Sequence, residues 1–571
     1  MKKIVTAFGA FALAITLIGC APGEDEGGGG NEPAAETQVT TVITLDYTSL
    51  NNLTAVGNSS YNNSVNFLLQ NPWSYYDKDL NWLTNDKAVT IEKVSDEPLT
   101  IKYTIADDYN WSDGVPVTGA DMVLMWAGVS TNRNDDVTEF DPDTGAGKPA
   151  ADQVWFDSDD GLTKDIKEPP SINPENPKEV TVTWSKYVPD WIYTFAYAGI
   201  PAHKVGQLAL GIEDATEAAD AVVAAINDET KKEDLIKVAN QWSRGYDFTS
   251  KPEDEGLLVV DGAYEFNEIK AGEYVSLKKR ADYTAGPIPS IDNVVYRVIS
   301  DPNAAQQALL NGEVDIISPD SPSVDMVQAL TSAEASASIA TKDFQNGIFE
   351  HVDLLFNPEA GDSPFSAAHY GGDADKAKKV RQAFLKALPR QEILDAIITP
   401  TNANAKVMNS YVVLQDDPKY ADIVAGNGSD AFPGSDVEAA KALLEEAGVT
   451  TPVDVKLVYA KEKPLRVQAF QLIAEAMQPA GFNVIDSSVP GTEVGGAYGS
   501  GKYDVNMFAW QKTNTSPLDS RSTYETGGQN NFTGFSNAEA DDLWSQLSEV
   551  EPEDVAKQTE LVAQIEKILW D

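Results

Sequence analysis

The sequence predicts a mixed α/β protein, and three local patterns carry that reading. In the first, Leu99, Ile101, Tyr103 and Ile105 alternate with Thr100, Lys102 and Thr104, the period of a strand with one buried face. A helix follows it: Thr118 and Asp121 form a capping box ahead of Val123, Leu124 and Trp126. The second pattern is a strand–helix–strand unit. Residues 294–299 are apolar but for Arg297, Asp301-Pro302 opens a helix ending near Asn311-Gly312, and residues 314–317 are apolar again but for Asp315. That spacing predicts a parallel strand pair with a right-handed crossover. The third pattern repeats the unit. Val453, Val455, Leu457 and Tyr459 alternate, Leu465, Leu472, Ile473 and Ala476 mark one helix face, and residues 482–485 return as a strand. Ahead of it, Ser435 and Glu438 read as the cap of a helix that stops at Gly448. Residues 206–241 read as mostly helical, and residues 135–177 as an acidic, loop-dominated region.

The chain has 571 residues, enough for roughly three or four domain-sized units with ample core. Its 42 basic and 89 acidic side chains leave a net charge of −47. Such a surface repels a phosphate backbone, so nucleic acid is excluded as a partner. It equally opposes non-specific adhesion to anionic lipid. A single cysteine rules out an internal disulfide and any Cys-rich metal site.

That cysteine sits at an informative place. Met1-Lys2-Lys3 is a short positive segment, and the 15 residues 4–18 are uncharged and largely apolar. The run is too short for a comfortable membrane span and suits a signal-peptide core. It ends in Leu17-Ile18-Gly19-Cys20, which resembles a bacterial lipobox, although Ile18 stands where a small residue is usual. The resemblance implies cleavage before Cys20 and lipidation of its thiol, with palmitate among the acyl chains. Residues 21–38 are rich in Gly, Glu and Pro and read as a flexible tether. The expected product is a soluble body leashed to the extracytoplasmic face of a bacterial membrane.

The body carries a series of motifs in a telling order. "LTIKYTIADDYNWSDGVPVTGADMVLMW" contains the core Trp111-Ser112-Asp113-Gly114, with Pro116 and Thr118 following. Later come "AGEYVSLKKRADYTAG", "IDNVVYRVISDPNAAQQALLNGEVDII", "VRQAFLKALPRQEIL", "SDVEAAKALLEEAGV", "YDVNMFAW" and "NFTGFSNAEADDLW". This series resembles family 5 extracellular solute-binding proteins, the peptide- and nickel-type receptors of ABC importers, across nearly the whole mature chain. Pro389 departs from the Asp the family usually has there. The resemblance implies a two-lobed periplasmic-binding-protein-like fold with a hinge between the lobes, the larger lobe split into two subdomains. Expected boundaries are 1–19 for the signal peptide, 20–38 for the tether and 39–303 for the large lobe, with a loop-rich subdomain around 67–177. The second lobe would span 304–504, and 505–571 would return to the large lobe. The WSDG turn itself reads as structural, because Gly114 and Pro116 set a strand-to-helix corner.

The chemistry of an enzyme is missing. His203, His351 and His369 are scattered and form no HExxH, and no GxSxG elbow occurs. His203 reads as a structural hydrogen-bonding residue. "GAYGSGKY" ends in Tyr503 where a phosphate-binding loop needs Ser or Thr, and it precedes a strand. Asp157, Asp159 and Asp160 form a solvated acidic loop whose glycine is misplaced for an EF-hand. No catalytic residue, cofactor or metal site is expected.

Ligand contacts are expected at Trp510, Thr513, Tyr47 and Trp73. In peptide-binding relatives a Trp ends the strand matching residues 503–510, and an Asp three residues on often receives the peptide ammonium. Trp510 matches that Trp, but the Asp position is Thr513, and a hydroxyl cannot supply the missing charge. Core packing is the competing reading of Trp510. Tyr47 and Trp73, with Tyr61, flank the Asn-rich "LNNLTAVGNSSYNNS", whose aromatics and amides suit a peptide backbone or sugar hydroxyls. The implied protein is a monomeric receptor that hands an oligopeptide or similar small polar solute to an ABC permease. An oligosaccharide receptor, or a cell-surface sensory or interaction protein keeping the fold, are the alternatives. At the C-terminus Leu561, Ile565 and Leu569 share a helix face, expected to pack on the large lobe. Relatives continue beyond this helix, so the record is expected to be incomplete, leaving an apolar groove or unpaired edge nearby.

Overall fold

The computed structural model describes residues 36–570 except 55, 78–81, 140–146, 159–162, 320–321, 338, 343–346, 357–361, 495–496, 498–501, 513, 529 and 552–553. Cys20, the signal segment, residues 21–35 of the tether and Thr513 lie outside the described residues, as does most of the GAYGSGKY loop, while Thr37 bonds Asp292 and Gln38 opens the first strand. Among the described residues, three four-stranded sheets and one hairpin organise the fold. The first sheet is ordered β1 (Gln38–Ile43), β10 (Asn293–Val298), β9 (Tyr274–Lys279), β8 (Tyr264–Lys270), with β1 and β10 parallel. The second is antiparallel, β4 (Val89–Asp96), β5 (Leu99–Ile105), β7 (Asn176–Thr183), β6 (Ser171–Asn173). β2 (Ser74–Tyr76) and β3 (Trp82–Thr84) form the hairpin. Both of these sheets feed one core that runs from Ile43 to Tyr296.

The third sheet belongs to a second body. Its order is β11 (Ile348–Leu354), β14 (Val505–Gln511), β12 (Val453–Val458), β13 (Phe482–Asp486). β12 and β13 are parallel and joined through the Pro464–Met477 helix, as the third pattern predicts. This body has its own core, from Leu354 to Met507.

Local chemistry explains the best-placed elements. β5 alternates buried and half-exposed residues along its whole length. The Gly119–Ser130 helix starts with the full capping box of Thr118 and Asp121, and every one of its residues is buried. Asp301 caps the Pro302–Leu310 helix, accepting from the Asn303 and Ala304 amides at 2.7 and 3.2 Å.

Three expectations are corrected. Residues 314–317 form no strand beside β10; only Ile316 makes an isolated parallel bridge, and it is to Thr41 of β1, where the Asp315 and Ile316 amides donate to the Thr40 carbonyl and Asp315 accepts from the Thr40 amide. Ser435 does not cap its helix. It adopts a left-handed backbone (φ 55°) and its hydroxyl donates to Glu392, while Asp436 caps through the Ala439 amide at 3.0 Å. The C-terminal Val555–Trp570 helix does not bury its stripe in the large body's core. Leu561, Val562 and Ile565 pack with Leu543 and Trp544 and with Val412, Val413 and Ile423, forming a third, smaller core. The buried Glu566 clamps that unit, accepting from the Tyr411 and Val412 amides and from Asn427.

A polar chain also threads the large core. Trp73 Nε1 donates to Tyr109 Oη at 3.2 Å, and Tyr109 Oη donates to Asp261 at 2.5 Å. Asp261 is fully buried, and that burial pushes its carboxyl up to about 7 against the opposing hydrogen bonds and the charge of Arg280. A carboxyl raised from its unfolded value near about 4 favours the folded state most when protonated. Its stabilisation is full below about pH 4 and is lost as the pH rises through about 7. Asp261→Asn should therefore gain stability relative to wild type between those limits, read as the difference in urea midpoints across pH. A constant difference would show that Asp261 does not titrate in that window.

Candidate functional site

Strand β14 has two faces with opposite roles. Val505 and Met507 enter the second core. Asn506, Phe508 and Trp510 point the other way, opposite Asp353, His351 and Phe349 of β11. On that face the rings form a continuous aromatic wall. Trp510 stacks between His351 (6.2 Å, 9°) and Phe532 (6.0 Å, 14°), and Phe508 meets it edge-on at 5.0 Å. His351 Nδ1 lies 3.0 Å from Asp353 Oδ1, which fixes the imidazole plane.

Polar atoms on this wall lack partners. Trp510 Nε1, His351 Nε2 and Asn506 Oδ1 are each buried with no hydrogen-bond partner among the described residues. Buried polar groups are normally paired, because leaving one unpaired costs about 1–3 kcal/mol. The indole is a donor, the amide oxygen an acceptor, and the imidazole nitrogen either one. Together they can stack a flat or apolar group and bond its polar edges.

Beyond β14 the chain meets the first body. The Thr515 amide donates to Tyr76 Oη at 3.0 Å, and Ser516 Oγ contacts both oxygens of Asp190 at 2.7 and 2.8 Å. Tyr76 in turn packs edge-on against Trp82, and Trp82 against Tyr193. Tyr187 bonds Glu551 on the same seam. The candidate site is therefore the junction of the two bodies, with the β14 wall on one side.

The residues expected at the ligand divide sharply. Trp510 is half-buried near the end of β14. Tyr47 and Trp73 are core residues, 2% and 0% exposed, and this corrects their expected ligand role. Tyr47 packs on Phe248 and Phe266 and donates to Asn66, and the Trp73 indole is spent on Tyr109. His203 is structural, as expected: its Nε2 lies 3.0 Å from Asp113 of the WSDG turn, which Lys204 also pairs at 2.9 Å. Burial raises the Asp113 carboxyl, but the bonds from His203 and Lys204 outweigh it and hold it well below the usual range. Asp157 is buried and paired with Arg244. No group of three or more His, Cys, Asp or Glu is placed to hold a metal among the described residues. Sequence reasoning missed His351, Asn506, Asp190 and Ser516. The alternation of "NMFAW" already put Asn506 on the face of Trp510, and only the pairing with β11 was hidden.

Two bodies with separate cores, meeting at a polar and aromatic seam, define a two-lobed solute-binding fold. The chain belongs to the bacterial extracellular solute-binding proteins, family 5, whose model matches residues 76–532. An uncharacterized lipoprotein of Mycobacterium tuberculosis is 24% identical over 552 residues, covering 94% of this chain and 86% of that one. Among solved structures, the periplasmic EDTA-binding protein EppA superposes with a TM-score of 0.69 at 20% identity, covering 94% of this chain and 88% of EppA. The oligopeptide-binding protein AppA of Bacillus subtilis, in complex with a nonapeptide, superposes with a TM-score of 0.57 at 18% identity, covering 94% and 91%. The protein is thus an extracellular solute-binding protein of family 5.

The unpartnered indole yields a direct test. Trp510→Phe keeps the stack and deletes a hydrogen that bonds nothing among the described residues, so it should cost under about 1 kcal/mol in chemical unfolding. A loss of several kcal/mol would mean that Nε1 is bonded internally.

Proposed function

We propose that the protein is a lipid-anchored receptor that captures an oligopeptide, or a similar small polar solute, between its two bodies and delivers it to an ABC permease. The observation that carries the peptide reading is the β14 wall. At its end Trp510 is half-buried, and its indole donor has no partner among the described residues, beside the stacked ring of Phe532. A peptide brings the complement, carbonyls and amides along its backbone and apolar side chains between them. The nonapeptide bound by the AppA neighbour shows what this fold can accommodate. The anchor reading rests on Cys20 at the end of the apolar leader and on the relative named as a lipoprotein.

Mass spectrometry of molecules released on denaturing protein purified from its native host tests the ligand class. Peptides are expected, whereas oligosaccharides or nickel complexes in their place would overturn the peptide reading. For the anchor, Cys20→Ser should leave the protein unprocessed or shed into the medium. Normal cleavage together with unchanged membrane fractionation of that variant would remove the lipid anchor from the proposal.

A further inference from the structure

Asp190 is a buried anion with too few partners. It lies in the short turn Pro189–Tyr193, at the seam, and is 8% exposed. An ionised carboxylate has roughly four acceptor positions. Among the described residues only Ser516 Oγ reaches it, at 2.7 and 2.8 Å from the two oxygens, and a hydroxyl has one hydrogen to give. No Lys, Arg or His pairs with it among the described residues, and the charge of Asp519 acts on it with the same sign. Burial pushes its carboxyl up to about 6, which still leaves it mostly ionised at neutral pH. A buried charge left this way is costly unless something else pairs it.

What faces it is space. Asp190 lines a cavity of about 140 Å³ with Tyr193, Thr515, Ser516 and Lys419. Lys419 is already paired with Asp417 at 3.1 Å. Cavities of about 150 Å³ admit a benzene-sized guest, so an ammonium and the first few carbons behind it would fit. We propose that this cavity is the subsite for a protonated primary amine of the ligand, with Asp190 as its counter-ion. An ammonium brings three donors, which fill the acceptor positions Ser516 leaves open. Tyr193 adds an aromatic ring on the cavity wall for the cation. The subsite is distinct from position 513, where the family resemblance looked for a carboxylate. The proposal rests on the receptor reading and names the end of the solute that is held at the seam.

The test uses the wild-type chain and Asp190→Asn, which is isosteric and still accepts from Ser516. n-Butylammonium chloride should raise the melting temperature of wild type above that seen in sodium chloride of equal ionic strength, and should not do so for the variant. By calorimetry, a free-amine tripeptide should bind wild type at least about tenfold more tightly than its N-acetylated form, and Asp190→Asn should erase that ratio. The acetylation comparison needs no variant to fold. Equal responses of the two proteins to butylammonium (none included), equal effects of sodium and butylammonium, or a free-amine preference kept by Asp190→Asn would each overturn the subsite. If wild type answers butylammonium through Asp190 but binds no peptide, the subsite stands and the peptide reading falls.

Discussion

The architecture of the first body hangs on one buried carboxylate, Asp121. Its oxygens accept from the Thr118 amide at 2.9 Å, the Ala202 amide at 2.8 Å and Trp111 Nε1 at 3.4 Å. Those bonds tie a turn, a helix start and a segment some eighty residues on into one node. Burial pushes this carboxyl up, yet the donors converging on it make the site hard to replace with anything apolar. The Gly119–Ser130 helix is buried on every side, so no polar face tells it how to lie. Its capped end does that. The close fit confirms the constraint: a Cβ at Gly119 would stand 2.7 Å from Val180 and 2.8 Å from Ile172, and one at Gly128 would run into Trp242.

Asp121 and Asp190 show the same group put to opposite uses. Both are buried carboxylates, but the first has three N–H donors from its own chain and the second a single hydroxyl. Trp510, His351 and Asn506 repeat the contrast on the paired β11 and β14 strands, where each keeps an atom without a partner among the described residues. Among the described residues Trp184, Tyr246 and Trp544 also keep buried polar atoms without a partner, so what distinguishes Trp510, His351 and Asn506 is that they share one sheet face. The unpaired set is where incoming donors and acceptors recover the most free energy.

The sequence made the elements legible and their partners much less so. Alternation in residues 99–105, the Thr118–Asp121 box and the Asp301 cap each act within a few residues, and the structure reproduces them. The strand expected at 314–317 shrinks to a single bridge from Ile316, and its partner is β1, which arrives from some 270 residues earlier. Ser435 shows that a cap pattern fails when the preceding backbone turns left-handed. For the site, aromatic and Asn-rich composition drew attention to Tyr47 and Trp73. Both proved to be core, because burial depends on what packs around a ring rather than on the ring itself. Trp510 was legible through its motif. Asp190 was not, because its partner Ser516 lies 326 residues away.

The seam gives the junction a mechanical consequence. Gln511 ends β14, and Thr515 and Ser516 soon after it bond Tyr76 and Asp190 of the first body. A ligand that engages Trp510 on one side and Asp190 on the other contacts groups whose spacing depends on how the bodies sit. Such a ligand binds the approximated arrangement better than a separated one, and that difference is all that can drive closure. The contacts that Ser516, Thr515 and Glu551 make across the seam are polar. Recognition and closure thus draw on the same few residues, which is why the under-paired carboxylate belongs at the seam and not inside either core.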